Sequence, residues 1–181
     1  ITLSMAKELK ELLDKNDKYK VYLTRNRDVF IPLRDRVKIS RKHDADLFIS
    51  IHADSAKNKK AVGLSVYTLS ETASDKEAAA LAEKENKADI VAGLNFAEHS
   101  QEVSDILLNL AQRETNNSSA EFATLLSAQM AKIVKTVSNT HRFAGFAVLK
   151  APDVPSVLME LGYLSNPAEE RQLKQKSYRR K

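Results

Sequence analysis

The chain has 181 residues, 43% of them hydrophobic and 29% charged, enough for one globular domain with a sizeable core. It holds no cysteine, which excludes disulfides and thiolate chemistry and leaves any metal to His, Asp or Glu. The net charge of +5 is spread along the chain, apart from Arg179, Arg180 and Lys181. That pattern, with no tryptophan and no aromatic-basic stripe, argues against a nucleic-acid partner and at most favours an anionic polymer, and no run is apolar enough to span a bilayer.

Residues Leu3 to Leu13 set Leu3, Met5, Ala6, Leu9, Leu12 and Leu13 on one face, predicting an amphipathic helix that lies on a sheet. Val21 to Thr24 has strand composition, Arg25 to Asp28 is the turn behind it, and Pro32 opens a helix that Leu33, Val37 and Ile39 carry to about His43. Leu47 to Asp54 is an apolar run of strand length that delivers His52 to its carboxyl end, the pattern of a buried parallel strand. Helix, strand, helix, strand is the rhythm of a parallel sheet without its first strand. Because Ile1 already falls in a helix, the chain is expected to start in mid-domain.

Gly63 to Thr68 reads as a second strand. Asp75 to Ala92 reads as an alanine-rich helix with a thin apolar stripe, capped by Ser74 and stopped by Gly93. Glu102 to Arg113 is a further helix with Val103, Ile106, Leu107 and Leu110 at core spacing. Asn116 to Ser119 is a break, and Phe122 to Val137 is an apolar helix. Gly145 to Leu149 is a strand candidate, Pro155 to Tyr163 an apolar strand that carries Glu160, and Asn166-Pro167 opens a last helix reaching toward Tyr178. The fold class is α/β, a mostly parallel central sheet with helices on both faces and a helical insertion at 70–117 within a single domain spanning 1–181.

Two apolar strands, each ending in a side chain that handles protons or metal, make a candidate site of His52 and Glu160. A glutamate on a buried strand is costly unless paired. It could serve as the base beside a metal-bound water or as half of a salt bridge to an arginine, and position alone leaves both open. His52 could be a ligand, a general acid or a bystander, and a catalytic zinc normally takes three protein ligands. His43, His99 and His141 fall at a helix end, in the insertion and in a loop, as surface residues.

Thr24-Arg25 with Asp28, Leu33 to Arg36, Ala45 to Asp54 and Pro155 to Pro167 together resemble the zinc-dependent N-acetylmuramoyl-L-alanine amidases across nearly the whole chain. The alanine-rich segment, with Leu81 to Asn86 and Leu107 to Arg113, resembles the division amidases of Gram-negative bacteria. The resemblance implies a periplasmic peptidoglycan hydrolase that cuts the amide between N-acetylmuramic acid and L-alanine in cell-wall remodelling and daughter-cell separation. His52 would be a ligand of Zn2+ and Glu160 the catalytic carboxylate. The family's other histidine and glutamate ligands are expected upstream of Ile1.

The resemblance further implies that the inserted helix covers the site with a glutamate on the zinc. Helical spacing does not separate Glu83 from Glu85, and Glu83 is preferred on the resemblance. An activator protein docking on Ile106, Leu107 and Leu110 would draw the helix away. The runner-up reading is an inactive peptidoglycan-binding or regulatory protein that retains the fold; the presence of both His52 and Glu160 argues against it.

Overall fold

A computed structural model describes residues 1–92 and 105–181, with the side chains of 91 and 105–111 outside that description. In chain order the elements are α1 (Thr2–Leu13), α2 (Leu33–Lys42), β1 (Phe48–Asp54), β2 (Leu64–Leu69), α3 (Lys76–Asn86), α4 (Ala88–Val91), α5 (Asp105–Met130), β3 (Thr136–Ala144), β4 (Ser156–Tyr163), α6 (Pro167–Lys174) and α7 (Lys176–Arg179). A 3-10 turn at Ala147–Leu149 lies between β3 and β4. The strands form one sheet in the order β1, β4, β2, β3, parallel within the β1–β4 and β2–β3 pairs and antiparallel between β2 and β4.

Strand periodicity sorts the side chains between two faces. Val66, Val157, Met159 and Leu161 meet α1, α5 and α6 through Met5, Ala123 and Leu173, and this face is apolar along β1 and β4, while β2 and β3 add Thr68 and His141. The opposite face packs Phe48, Tyr67 and Leu158 against α2, α3 and the 3-10 turn through Leu33, Ala78, Ala82, Phe146 and Val148. Next along its strands come Ser50, His52 and Glu160, so that face turns polar toward the carboxyl ends of β1 and β4.

Four sequence expectations change. Val21 to Thr24 is irregular rather than a strand. It lines a cavity of about 700 Å3 across from β1, with α1 and α2 as the other walls. Its Val21 carbonyl accepts from the Lys10 ammonium at 2.7 Å, and no strand among the described residues pairs with it, so strand composition has no ladder to join.

The break at Asn116 to Ser119 is absent, because α5 runs through it and stops at Met130, not Val137. Thr115 and Ser119 find partners without breaking the helix: Thr115 donates to the Pro152 carbonyl at 2.9 Å. Ser119 donates to the Thr115 carbonyl at 2.7 Å and accepts the Ser156 N–H at 2.8 Å. The strand expected at Gly145 to Leu149 lies instead just before it, as edge strand β3. Phe146, Val148 and Leu149 are buried as a plug in the core, and a strand would have turned half of them away. Finally, Asp75 rather than Ser74 caps α3, accepting the Ala78 N–H at 2.9 Å, while Ser74 donates to the cap's other oxygen at 3.0 Å.

Gly63 starts β2 with φ at +110°, and a Cβ there would lie 2.7 Å from the Thr136 carbonyl carbon and 2.9 Å from the Val137 nitrogen. Backbone cannot yield as a side-chain end does, so Gly63→Ala is expected to destabilise the domain by about 2–4 kcal/mol. Gly145→Ala, whose nearest neighbour is the Ser70 carbonyl oxygen at 3.7 Å, should change stability by less than about 1 kcal/mol. Urea midpoints of the two variants check the contrast.

Candidate active site

His52 and Glu160 stand directly opposite one another in the parallel β1–β4 ladder, on the face that α3 covers. Just beyond this pair the register slips, so that Asp54 meets Tyr163, and β4 carries the extra residue at Gly162, whose φ is +140°. The slip gives the Asp54 N–H to the Glu160 carboxylate, Oε1, at 2.6 Å. The turn is held from outside by Glu169, which accepts the Tyr163 N–H at 2.8 Å and the Gly63 N–H at 2.7 Å. A Cβ on Gly162 would sit 2.9 Å from that same carboxylate.

Glu160 is wholly buried, and among the described residues its Oε2 has no hydrogen-bond partner. Burial pushes its carboxyl well above the usual carboxylate range, and the Asp54 N–H pulls back only in part. An unpartnered oxygen on a buried acid is costly unless it serves a reacting group. Among the described residues no arginine pairs with Glu160, and the salt-bridge alternative finds no partner there.

Both ring nitrogens of His52 are engaged. Nδ1 lies 3.0 Å from Glu85 Oε2, and Nε2 lies 3.0 Å from the Ser50 hydroxyl. Burial alone would raise Glu85, but the bond and charge of His52, with Lys84 and Arg36 beyond, outweigh it and hold the carboxyl below its ordinary value. Lys84 also pairs with Asp54. Imidazole and carboxylate are zinc donor types, and their 3.0 Å separation approaches the roughly 3.4 Å edge of a tetrahedral zinc site. Among the described residues, no three His, Asp or Glu side chains are grouped to hold a metal ion. The donors present therefore fit part of such a site.

Glu83, the glutamate preferred from the sequence, faces away from His52. Its side chain is 69% exposed and pairs with Lys87 at 2.6 Å, and it is Glu85 that meets His52. The signal lay in the stripe itself. Ala78 and Ala82 are the buried positions of α3, and the same face continues at Glu85 and at buried Asp89.

The helix is fixed at both ends by polar contacts the sequence reading did not foresee. At its start Asp75 takes a two-pronged pair from buried Arg142, with the Nε contact at 2.9 Å, and Arg142 also donates to the Tyr67 hydroxyl at 3.3 Å. At its end the Asn86 side chain donates to the Gly145 carbonyl at 2.8 Å and accepts the Ala147 N–H at 2.7 Å. One turn further, Asp89 accepts the Leu33 N–H at 3.0 Å, capping α2, whose own N-cap is Pro32.

The side chains of Ile106, Leu107 and Leu110 lie outside the described residues, as do Gly93 and His99. His43 stacks on Tyr22 with ring centroids 3.8 Å apart, and His141, expected in a loop, is on β3 between Thr68 at 3.0 Å and Thr124 at 3.3 Å. Neither approaches His52 as a partner.

The family described as N-acetylmuramoyl-L-alanine amidase matches residues 1–181. The chain is 42% identical over 182 aligned residues to the N-acetylmuramoyl-L-alanine amidase AmiA of Salmonella typhimurium, all of this chain aligning with 63% of that protein. It is 40% identical over 175 residues to AmiC of Escherichia coli, 96% of this chain aligning with 42% of that protein. The chain thus spans less than two thirds of the length of these relatives. Among solved structures, the catalytic domain of CwlV, an amidase from Paenibacillus polymyxa, superposes with a TM-score of 0.62 at 25% identity, covering 98% of this chain and 74% of that one. An amidase from Clostridium difficile superposes at 0.63 with 20% identity over 98% and 73% of the two chains, which speaks to the fold.

The Arg142 bond holds the Asp75 carboxyl at about 2, below its ordinary 3.8, with the Ala78 N–H and Ser74 hydroxyl assisting against burial. A depressed carboxyl stabilises the folded state above its unfolded pKa and loses that contribution as pH falls through the folded one. Discounted for a side chain 36% exposed, the contribution is about 1 kcal/mol. Asp75→Asn should therefore be less stable than the parent by about that amount at about pH 6, and the gap should close between about pH 4 and pH 2. Urea midpoints across that range check it, and a gap independent of pH would contradict the assignment.

Proposed function

The chain belongs to the N-acetylmuramoyl-L-alanine amidase family, and from that premise we propose that it forms the catalytic domain of a zinc-dependent peptidoglycan hydrolase of the Gram-negative division type, working in the periplasm. The bond cut is the amide between the lactyl group of N-acetylmuramic acid and the L-alanine of the stem peptide. The observation that carries this reading is the wholly buried Glu160 carboxyl, one oxygen held by the Asp54 N–H and the other unpartnered, beside His52 in the ladder.

In this reading Glu160 takes the proton of the attacking water on Oε2 and hands it to the amide nitrogen as the carbon–nitrogen bond breaks, so that the peptide leaves as a neutral amine. The Asp54 N–H keeps the carboxyl from rotating, and burial raises its proton affinity toward what that shuttle requires. His52 contributes one zinc donor, and zinc, when bound, supplies a lowered water pKa and polarisation of the carbonyl.

The inserted helix α3 holds the enzyme off. Glu85 sits on the His52 nitrogen that faces the site, where its carboxylate blocks the place of the metal or of the water. An activator protein that binds the insertion would withdraw α3 and with it Glu85.

In the full-length protein, Glu160→Gln is expected to reduce release of stem peptides from purified peptidoglycan by at least about a hundredfold with zinc content unchanged. Glu85→Ala should raise the activity measured without activator by about tenfold or more, since a competing ligand is removed. Chromatographic analysis of released peptides measures both. Near-parental turnover in Glu160→Gln would sink the shuttle, and a folded, zinc-loaded Glu85→Ala as inactive as the parent would remove the plug.

A further inference from the structure

We propose that Ser65 is a positioning residue for Glu160: its hydroxyl donates to Glu160 Oε2 and, with the Asp54 N–H on Oε1, fixes the plane of the carboxylate from both flanking strands. The proposal rests on the reading of Glu160 as the proton carrier. Ser65 and Glu160 stand directly opposite one another in the antiparallel β2–β4 ladder, and both are wholly buried. Ser65 Oγ and Glu160 Oε2 are both buried without a hydrogen bond among the described residues. Partners across a ladder share a face with their Cβ atoms about 4.5–5.5 Å apart, within reach of a hydroxyl and a carboxylate once Ser65 turns about one bond. Two such atoms cost more apart than joined. If Ser65 served packing alone, alanine would fill the place without leaving a hydroxyl unpaired.

The direction of the bond is set from further along the same face. Arg142 is buried and can only donate, and its Nη1 gives a hydrogen to the Tyr67 hydroxyl at 3.3 Å. Tyr67 lies two places beyond Ser65 on β2, so the two side chains share a face. With its oxygen accepting from Arg142, Tyr67 keeps its own proton to give. Burial raises the Tyr67 phenol and Ser65 offsets part of that rise, as a hydroxyl lying beside it does. Tyr67 donating to Ser65 leaves Ser65 its proton for Oε2, and every hydrogen in the row from Arg142 to Glu160 then points toward the carboxylate. A carboxylate oxygen has two acceptor positions. Ser65 on one of them leaves the other to the attacking water and decides from which side that water is met.

The test uses the full-length protein in a Glu85→Ala background, in which the inserted helix no longer presents its carboxylate. Adding Ser65→Ala should lower kcat for release of stem peptides from purified peptidoglycan by about 10- to 100-fold, with KM within about twofold. Ser65→Thr, which keeps the hydroxyl on a strand-compatible side chain, should recover most of the loss, and Ser65→Cys, of similar size but a weak donor, should not. The infrared carbonyl band of the buried carboxyl, identified by its absence from Glu160→Gln, gives a second readout that needs neither metal nor turnover. It should move to higher wavenumber on Ser65→Ala, because a hydrogen bond to the carbonyl oxygen is lost. A kcat within about twofold of the background overturns the proposal whatever the band does. A lower kcat with the band unmoved marks Ser65 as packing and overturns it as well. Should the background release no peptide, or Glu160→Gln keep its turnover, the reading of the site fails on its own account. The band then decides for Ser65: a shift supports the contact, and no shift overturns it.

Discussion

Glu160 puts a carboxyl group at zero exposure in the middle of a sheet, where a free charge would cost several kcal/mol, and the surrounding structure is arranged around that cost. One oxygen is met by the Asp54 N–H, which is available only because the β1–β4 register slips after His52. The slip in turn needs Gly162 in a conformation closed to other residues, and the turn it makes is tied to the start of β2 by the Glu169 carboxylate. Glu169, seven positions past Gly162 in the first turn of α6, thus holds the turn that aims the Asp54 N–H at Glu160. The second oxygen has no hydrogen-bond partner among the described residues.

The cover over this site is built on different terms from the core. Ala78 and Ala82 present single methyl groups, on the order of 1 kcal/mol each, and Leu81 adds one partly buried side chain, so α3 gains less from apolar burial than the core elements do. Its position is set by Asp75 on Arg142, Asn86 on the backbone around Ala147, Asp89 on the end of α2, and Glu85 on His52. Each such bond contributes a modest net amount, because water offers nearly the same partner when it opens. A helix held this way is placed accurately and released at low cost, whereas one seated on leucines would be placed accurately and kept.

The strands that build the site were legible because strand period and apolar character coincide in them. Ser156 to Tyr163 is buried on both faces and Phe48 to Asp54 is buried or half-buried along its length, and a polar side chain in such a run stands out at once. Where the two signals part, the reading failed. Val21 to Thr24 has the composition of a strand, yet none of the described strands pairs with it. Gly145 to Leu149 is apolar because it is a plug, and the polar stretch Thr136 to Ala144 is a strand because an edge can afford polar residues. Asn116 to Ser119 looked like a break because serine and asparagine compete for backbone bonds, yet Ser119 places its hydroxyl on its own helix and on the lead into β4.

The choice between Glu83 and Glu85 shows the same limit at the scale of one turn. Both glutamates lie on an alanine-rich helix, and counting neighbours at three and four residues distinguishes nothing. What separates them is which alanines are inside, and that is a tertiary fact. Once Ala78 and Ala82 are known to face the sheet, the helical angle carries the line on to Glu85 and Asp89 and leaves Glu83 in solvent with Lys87. A carboxylate on that inner line has to be answered by something on the sheet. At Asp89 the answer is a bare helix end, and at Glu85 it is the ring of His52, so the helical cover is aligned by a strand residue at the centre of the candidate site.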